Sequence, residues 1–230
     1  VSMNGAAARL EQLDSVSDNL ANAQTPGFKS SRPAFEAFLA KADPDQTPKV
    51  YTAAVATQVD LSPGSRTHTG NPLDVVPSGR SFIGVQTANG IALTRNGSLA
   101  VSSDGTLTAA GLPVVDRQGR VVMAPPNTTV RVDTAGGVFA NNVRVGEVGL
   151  FEVNGPVDRI GPSLIAPHDQ KTISLSDDQL QIGQLEMGNA SPLEATIQMV
   201  SSQRNFETSL QALQTYKRMD ERASEVGRAR

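Results

Sequence analysis

The chain has 230 residues, 38% of them apolar, and carries 20 Lys and Arg against 23 Asp and Glu for a formal net charge of -3. With no global positive field to gather phosphates, nucleic acid is disfavoured as a partner, and the absence of cysteine excludes disulfides, thiolate zinc sites and cysteine nucleophiles. Trp is missing and Tyr occurs twice, too few aromatics to fill one large core or to line a deep small-molecule cleft.

At the N-terminus Met3, Ala6, Leu10, Leu13 and Leu20 fall at alternating steps of three and four, with Ser17 in the remaining seam position. This spacing predicts a helix with one narrow apolar stripe, suited to a partner helix. The stretch "NLANAQTPGFK" then breaks it. Pro26 fixes φ at the first central position of a turn, Gly27 accepts the positive φ of a type II turn, and Thr25 is pushed out of the α region by the following Pro. The helix is expected to stop near Ala23, so residues 1–28 are read as the N-terminal half of a split helical domain.

Residues 29–65 are rich in Ser, Pro, Asp and Thr, with Pro33, Pro44, Pro48 and Pro63 closely spaced, and read as an extended connector. Within it Phe35, Phe38 and Leu39 suit one apolar turn and "VYTAAVATQVDL" an edge strand. Residues 66–184 read as a β domain. Asn89-Gly90, Asn96-Gly97, Asp104-Gly105 and Gln118-Gly119 punctuate short runs such as "SFIGVQT", "LAVS" and "VVMA". Such pairs predict type I′ hairpin turns, which need positive φ at both central positions.

Residues 185–230 supply the second helix. Ser191-Pro192-Leu193-Glu194 places an N-cap hydroxyl, a Pro at the first helical position and a Glu three residues after the cap. No Gly or Pro follows until Gly227, and such a run extends about 54 Å at about 1.5 Å per residue. Its apolar seam comes in blocks with phase shifts: Leu193, Ile197 and Val200, then Phe206, Leu210 and Leu213, then Tyr216 and Met219. Together the elements predict an α+β architecture: N- and C-terminal long helices pairing as a coiled-coil-like helical domain, with a middle all-β domain of meanders and hairpins.

No segment reaches the roughly 18 consecutive apolar residues that span a bilayer, and no basic stretch, apolar block and cleavage site open the chain. A soluble protein without a Sec-type signal is expected. His68 and His168 lie one hundred residues apart in loop-like contexts, without clustered partners for metal or acid–base work. "SDD" at Ser176 to Asp178 and "DPD" at Asp43 to Asp45 lack the ligand spacing of a calcium loop. Asp60, Asp74, Asp104 and Asp116 offer carboxylate pairs for glycoside chemistry, but aromatic platforms for sugars are few. No catalytic, cofactor-binding or metal residue is therefore assigned and no cofactor is expected.

Three stretches carry a family resemblance. "LDSVSDNLANAQTPGFK" resembles the N-terminal signature of the flagellar rod and hook proteins. "TGNPLDVVPSGRSFIGVQTANGIALTRNGSLAVSSDGTLTAAGLPVVD" is similar to the β core of that family, and "GQLEMGNASPLEATIQMVSSQRNFETSLQALQTYKRMDE" to its C-terminal helix signature. Chain length and the "NASPLE" form resemble the proximal rod branch, with the distal branch as the alternative. A secreted β-domain hydrolase or adhesin is the alternative from another class.

The resemblance implies a non-enzymatic subunit of the basal-body rod that polymerises through its terminal helices and transmits torque from motor to hook. It implies type III export without a cleaved signal and a periplasm-spanning location. The implied partners are other rod proteins, copies of the same chain and the export apparatus, with no nucleic acid, small-molecule substrate or membrane insertion. The subunit interface it implies comprises Met3, Leu10, Leu13, Asn19, Leu20, Asn22, Thr25, Pro26, Gly27 and Phe28 at one end. At the other it comprises Leu193, Ile197, Val200, Gln203, Arg204, Phe206, Glu207, Leu210, Leu213, Tyr216 and Met219. Arg204 and Glu207 would fix register between neighbours, because a buried charge left unpaired costs several kcal/mol.

Overall fold

The structure, a computed structural model, describes residues 2–39, 50–125 and 128–228. The chain forms two compact units: Val1–Leu20, Ser31–Gln58 and Ser191–Arg230 make the first, and Ala21–Ser30 with Val59–Ala190 the second.

In the first unit, helix α1 spans Ser2–Ala21 and helix α2 spans Pro192–Arg228. Ser191 caps α2 as its motif predicts, its Oγ accepting the Glu194 N–H at 3.4 Å. Strands β1 (Ser31–Leu39) and β2 (Val50–Val59) pair as a two-stranded sheet, so most of the stretch read as an extended connector is strand. Pro33 sits inside β1, where one missing N–H is tolerated because a two-stranded sheet has only edges. The sequence around Pro44 and Pro48 lies outside the described residues.

The expected fold class needs correction, because the chain is predominantly β. Only α1 and α2 are helical apart from one 3₁₀ turn, and no extended α1–α2 packing occurs among the described residues. The two helices differ in length, 20 against 37 residues. The α2 seam shifts phase between its blocks, so it never presents one continuous a/d edge to a single partner.

The second unit is built from short strands: β3 (Arg66–His68), β4 (Val75–Pro77), β5 (Phe82–Thr87), β6 (Gly90–Thr94), β7 (Leu99–Val101), β8 (Leu107–Ala109) and β9 (Leu112–Pro113). They continue with β10 (Val130–Val132), β11 (Gly137–Ala140), β12 (Val143–Glu147), β13 (Leu150–Val153), β14 (Val157–Gly161) and β15 (Leu164–Pro167). The last are β16 (Ile173–Leu175), β17 (Leu180–Ile182) and β18 (Gln184–Glu186). A six-stranded antiparallel sheet in the order β14-β15-β6-β5-β13-β16 is central. Two three-stranded sheets, β7-β8-β9 and β10-β11-β12, and the pairs β17-β4 and β18-β3 make up the rest of the unit's strands.

Both faces of the central sheet are covered. Along β5 and β13, Ile83, Val85 and Leu150 enter one core with Leu107, Val114 and Val138, while Phe82 and Phe151 enter a second with Leu93, Val115 and Ile165. Successive side chains point to opposite faces, so a strand covered on both sides reads as the continuous run "FIGV" rather than an alternation. Gly84 lies within that run because a Cβ there would sit 2.4 Å from the Phe151 ring.

The expected turn type also needs correction. Asn89, Asn96, Asp104 and Gln118 all have negative φ, so none of the predicted pairs forms a type I′ turn. At Asp104-Gly105 and Gln118-Gly119 the glycine (φ 84° and 78°) instead follows a type I turn, and its N–H bonds back to Ser102 O (2.9 Å) and Asp116 O (3.0 Å). Consecutive positive φ occurs at Ala110-Gly111 and Asn141-Asn142, the two-residue connections of β8–β9 and β11–β12.

Candidate functional site: a buried ion cluster at the roots of the chain ends

The chain leaves α1 through Thr25-Pro26-Gly27. Gly27 has φ 71° and the Phe28 N–H bonds Thr25 O at 3.2 Å, the predicted turn. A Cβ on Gly27 would lie 2.1 Å from Asn96 N and 2.5 Å from Arg95 C, so the bend is pressed against backbone. Its N–H donates to Glu186 O at 2.8 Å. Phe28 is fully buried, with the Arg159 guanidinium 4.9 Å from its ring centroid. A buried aromatic followed by a cation thus roots the segment inside the second unit.

That cation, Lys29, is 2% exposed and donates from Nζ to Glu186 Oε1 at 2.8 Å and to Ser62 O at 2.6 Å. Glu186 is 0% exposed and also accepts the Gly64 N–H on Oε1 at 3.1 Å. Arg95, 1% exposed, donates to Pro77 O (2.6 Å) and Gly79 O (2.7 Å). Its Nε lies 3.6 Å from Glu186 Oε2, and those two facing atoms have no hydrogen-bond partner. The Phe82 ring covers the guanidinium at 5.2 Å.

Asn189 completes the arrangement. It accepts the Ser30 N–H on Oδ1 at 2.7 Å, donates from Nδ2 to Asp60 O at 2.8 Å, and its N–H donates to Phe28 O at 3.3 Å. Three stretches remote in sequence, residues 27–30, 60–65 and 186–189, are therefore tied together inside the second unit. Desolvation by burial pushes Lys29 and Arg95 below their ordinary values, against the attraction of Glu186. Two cations and one carboxylate leave the three buried charges with an excess of positive charge. Such a cluster fixes geometry more than it adds stability, since desolvation offsets much of the attraction.

Of the residues assigned from sequence, Asn19, Gly27 and Phe28 are buried within the single chain. Asn19 bonds both backbone groups of Ser31, Nδ2 to O at 2.8 Å and N–H to Oδ1 at 3.0 Å, and so satisfies the first residue of β1. Leu13, Leu20, Asn22, Thr25 and Pro26 are half-buried and Leu10 is exposed, while the Met3 side chain lies outside the described set.

On α2, Leu193, Ile197 and Met219 are 73%, 60% and 62% exposed, and Val200 and Leu210 are exposed as well. Gln203, Arg204 and Glu207 are exposed and Phe206 is half-buried; the side chains of Leu213 and Tyr216 are not among those described. Sequence reading quoted Lys29, Arg95, Glu186 and Asn189 without giving them a role. No local pattern set them apart: in "ALTRNG" the charge follows the end of a strand, where a cation ordinarily points into water. Among the described residues no group of three or more His, Asp or Glu could hold a metal ion, and no helix is long and apolar enough to cross a membrane.

Comparison with known proteins converges on one family. The family model for flagella basal body rod protein matches residues 1–29, and that for the flagellar basal body rod FlgEFG protein C-terminal region matches residues 181–226. The chain is 29% identical to the flagellar basal-body rod protein FlgF of Salmonella typhimurium over 97% of this chain and 95% of that protein. It is 27% identical to FlgF of Mesorhizobium japonicum (99% and 96%) and 26% identical to FlgG of Bacillus subtilis (89% of each). The first match embraces the bend and Lys29, the second embraces Glu186, Asn189 and nearly all of α2, so both ends of the chain, and its whole length at lower identity, are similar to flagellar basal-body rod proteins.

Proposed function

We propose that this chain is a structural, non-enzymatic subunit of the flagellar basal-body rod, of the proximal kind that FlgF represents. The full-length similarity to FlgF proteins supports this branch, with FlgG relatives ranking next. The carrying observation is the position of the exposed apolar residues. Leu193, Ile197, Val200, Leu210 and Met219 all lie on α2 within 181–226, the stretch that matches the rod-family model. Large apolar side chains left repeatedly in water along a 37-residue helix mark a surface that other molecules cover.

In this reading α2 is interface, with Gln203, Arg204, Phe206, Glu207, Leu213 and Tyr216 in the same surface. Met3, Leu10, Leu13, Leu20, Asn22, Thr25 and Pro26 contribute from the N-terminal side. Neighbouring rod proteins and copies of the chain cover these faces, and the rod so built carries torque across the periplasm. Delivery is through the flagellar type III export apparatus without a cleaved Sec signal. The buried cluster gives the load a rigid origin, because residues 27–30 and 186–189 are fixed to one another inside the second unit.

The test is complementation of a rod-deficient strain with the triple variant Leu193→Gln, Ile197→Gln, Val200→Gln. Loss of swimming and of incorporation into purified basal bodies, with an unchanged melting transition of the purified chain, is expected. Normal motility with normal incorporation contradicts the proposal.

A further inference from the structure

The composition of the ion cluster is unbalanced in a way that packing alone does not require. Lys29 comes from the N-terminal root, Arg95 follows β6 in the β core, and Glu186 ends β18 just before the C-terminal root. All three are buried, and Glu186 acts on both cations. Asp60 acts on Lys29 and Asp178 on Arg95 with smaller effect. Two buried cations around one carboxylate stay in place only while that carboxylate is present, because like charges repel strongly when desolvated.

The backbone follows the same arrangement. The Gly27 N–H is held by Glu186 O, the Gly64 N–H by Glu186 Oε1, the Met187 N–H by Ser65 O, and Asn189 spans Ser30 and Asp60. A Cβ on Gly188 would lie 2.6 Å from Ala23 O, and one on Gly64 would lie 1.9 Å from Met187 O. The three segments are therefore seated against each other at backbone distance. The buried members of the two hydrophobic cores of the second unit include no residue of 21–30, 60–65 or 184–190, although half-buried Leu61 packs against the second of them, so the cores close largely without these roots.

We propose that Glu186 is a positioning residue that couples the ordering of the two chain ends: residues 27–30 and 60–65 take their places only when 186–189 docks, and are released together when it does not. The N-terminal root then stays undocked until the C-terminal root arrives. Charge balance makes the coupling directional. Removing Glu186 leaves Lys29 and Arg95 without their main counter-ion, only the weaker attractions of Asp60 and Asp178 remaining, whereas removing Lys29 leaves Arg95 and Glu186 as a balanced pair. The coupling is a property of the free chain and stands independently of its assembly.

Amide hydrogen exchange on the full-length chain tests this. In Glu186→Gln the amides of residues 27–30 and of Gly64 should exchange about a hundredfold faster or more, as expected for breaking a buried pair. The amides of β5, β6 and β13 should stay within about threefold of the parent chain, because local opening leaves the cores closed. Lys29→Met should keep the Gly27 and Gly64 amides within about tenfold of the parent despite the lost bond to Ser62 O, and Lys29→Met combined with Glu186→Gln should recover most of the lost protection. Unchanged protection of 27–30 in Glu186→Gln overturns the proposal, as does equal acceleration of the β5, β6 and β13 amides. Release of the segment in Lys29→Met as complete as in Glu186→Gln also overturns it.

Discussion

Three glycines separate two costs that usually arrive together, the strain of a left-handed backbone and the collision of a new Cβ. Gly111 has φ 78° with nothing within 4 Å of an added Cβ, so Gly111→Ala carries only the conformational cost, about 1–2 kcal/mol. Gly97 has no positive φ, but a Cβ there would lie 1.6 Å from Val75 O, a backbone atom tied to β4. The Val75 N–H already donates to Gly97 O at 2.9 Å, so β4 and the loop between β6 and β7 cannot part without losing that bond. Gly97→Ala should cost about 3 kcal/mol by overpacking. Gly27 combines both, with φ 71° and a Cβ 2.1 Å from Asn96 N. Gly27→Ala should therefore cost roughly the sum, about 4–5 kcal/mol, and should also loosen the bond to Glu186 O. Urea unfolding of the three variants, compared at constant m value, reads these differences directly. If Gly27→Ala costs no more than Gly111→Ala, the close approach of the bend to Asn96 is wrong.

Phe28→Ala should cost about 3–5 kcal/mol, because a fully buried ring is lost and its cavity opens beneath Arg159; a cost under about 1 kcal/mol by thermal unfolding would show that the ring is not enclosed. The turn carboxylates should titrate low. The Thr106 backbone and side-chain bonds hold Asp104 below the ordinary 3.8. At Asp116 burial pushes upward from 3.8, but bonds from the Arg120 backbone and side chain and from the Gln118 N–H outweigh it. A carboxyl whose folded pKa lies below its unfolded one contributes stability present above the unfolded value and lost as pH falls through the folded one. These hairpins should therefore loosen only below pH 3.8, and carboxyl NMR titration midpoints at or above that value would contradict the bonding described.

What the sequence made legible was local. The start of α2 followed from Ser191-Pro192, and the end of α1 from Thr25-Pro26-Gly27, with the last helical residue at Ala21 rather than near Ala23. The turn type did not follow, because Asp-Gly suits a type I turn closed by a left-handed glycine as well as a type I′ turn, and strand register chooses between them. Strand β1 was hidden by Pro33, whose cost vanishes on an edge. Helix pairing was over-read, because an apolar seam says that a face will be covered but not by what. Lys29 and Glu186 lie 157 positions apart, and no periodicity links residues that meet only through the fold. Arg95 was masked for a related reason: in "ALTRNG" it occupies the end of a strand, where a cation ordinarily points into water. Asn19, by contrast, was conspicuous as an amide near a helix end, but its bonds to Ser31 of the same chain were not legible.

The central claim is that α2 carries its apolar side chains in the open because other rod subunits cover them. Cryo-electron microscopy of purified basal bodies at side-chain resolution tests it most directly. The account predicts Leu193, Ile197 and Val200 packed against neighbouring chains, with the Lys29–Glu186 pair intact in every copy. A rod in which these three side chains face solvent would contradict it.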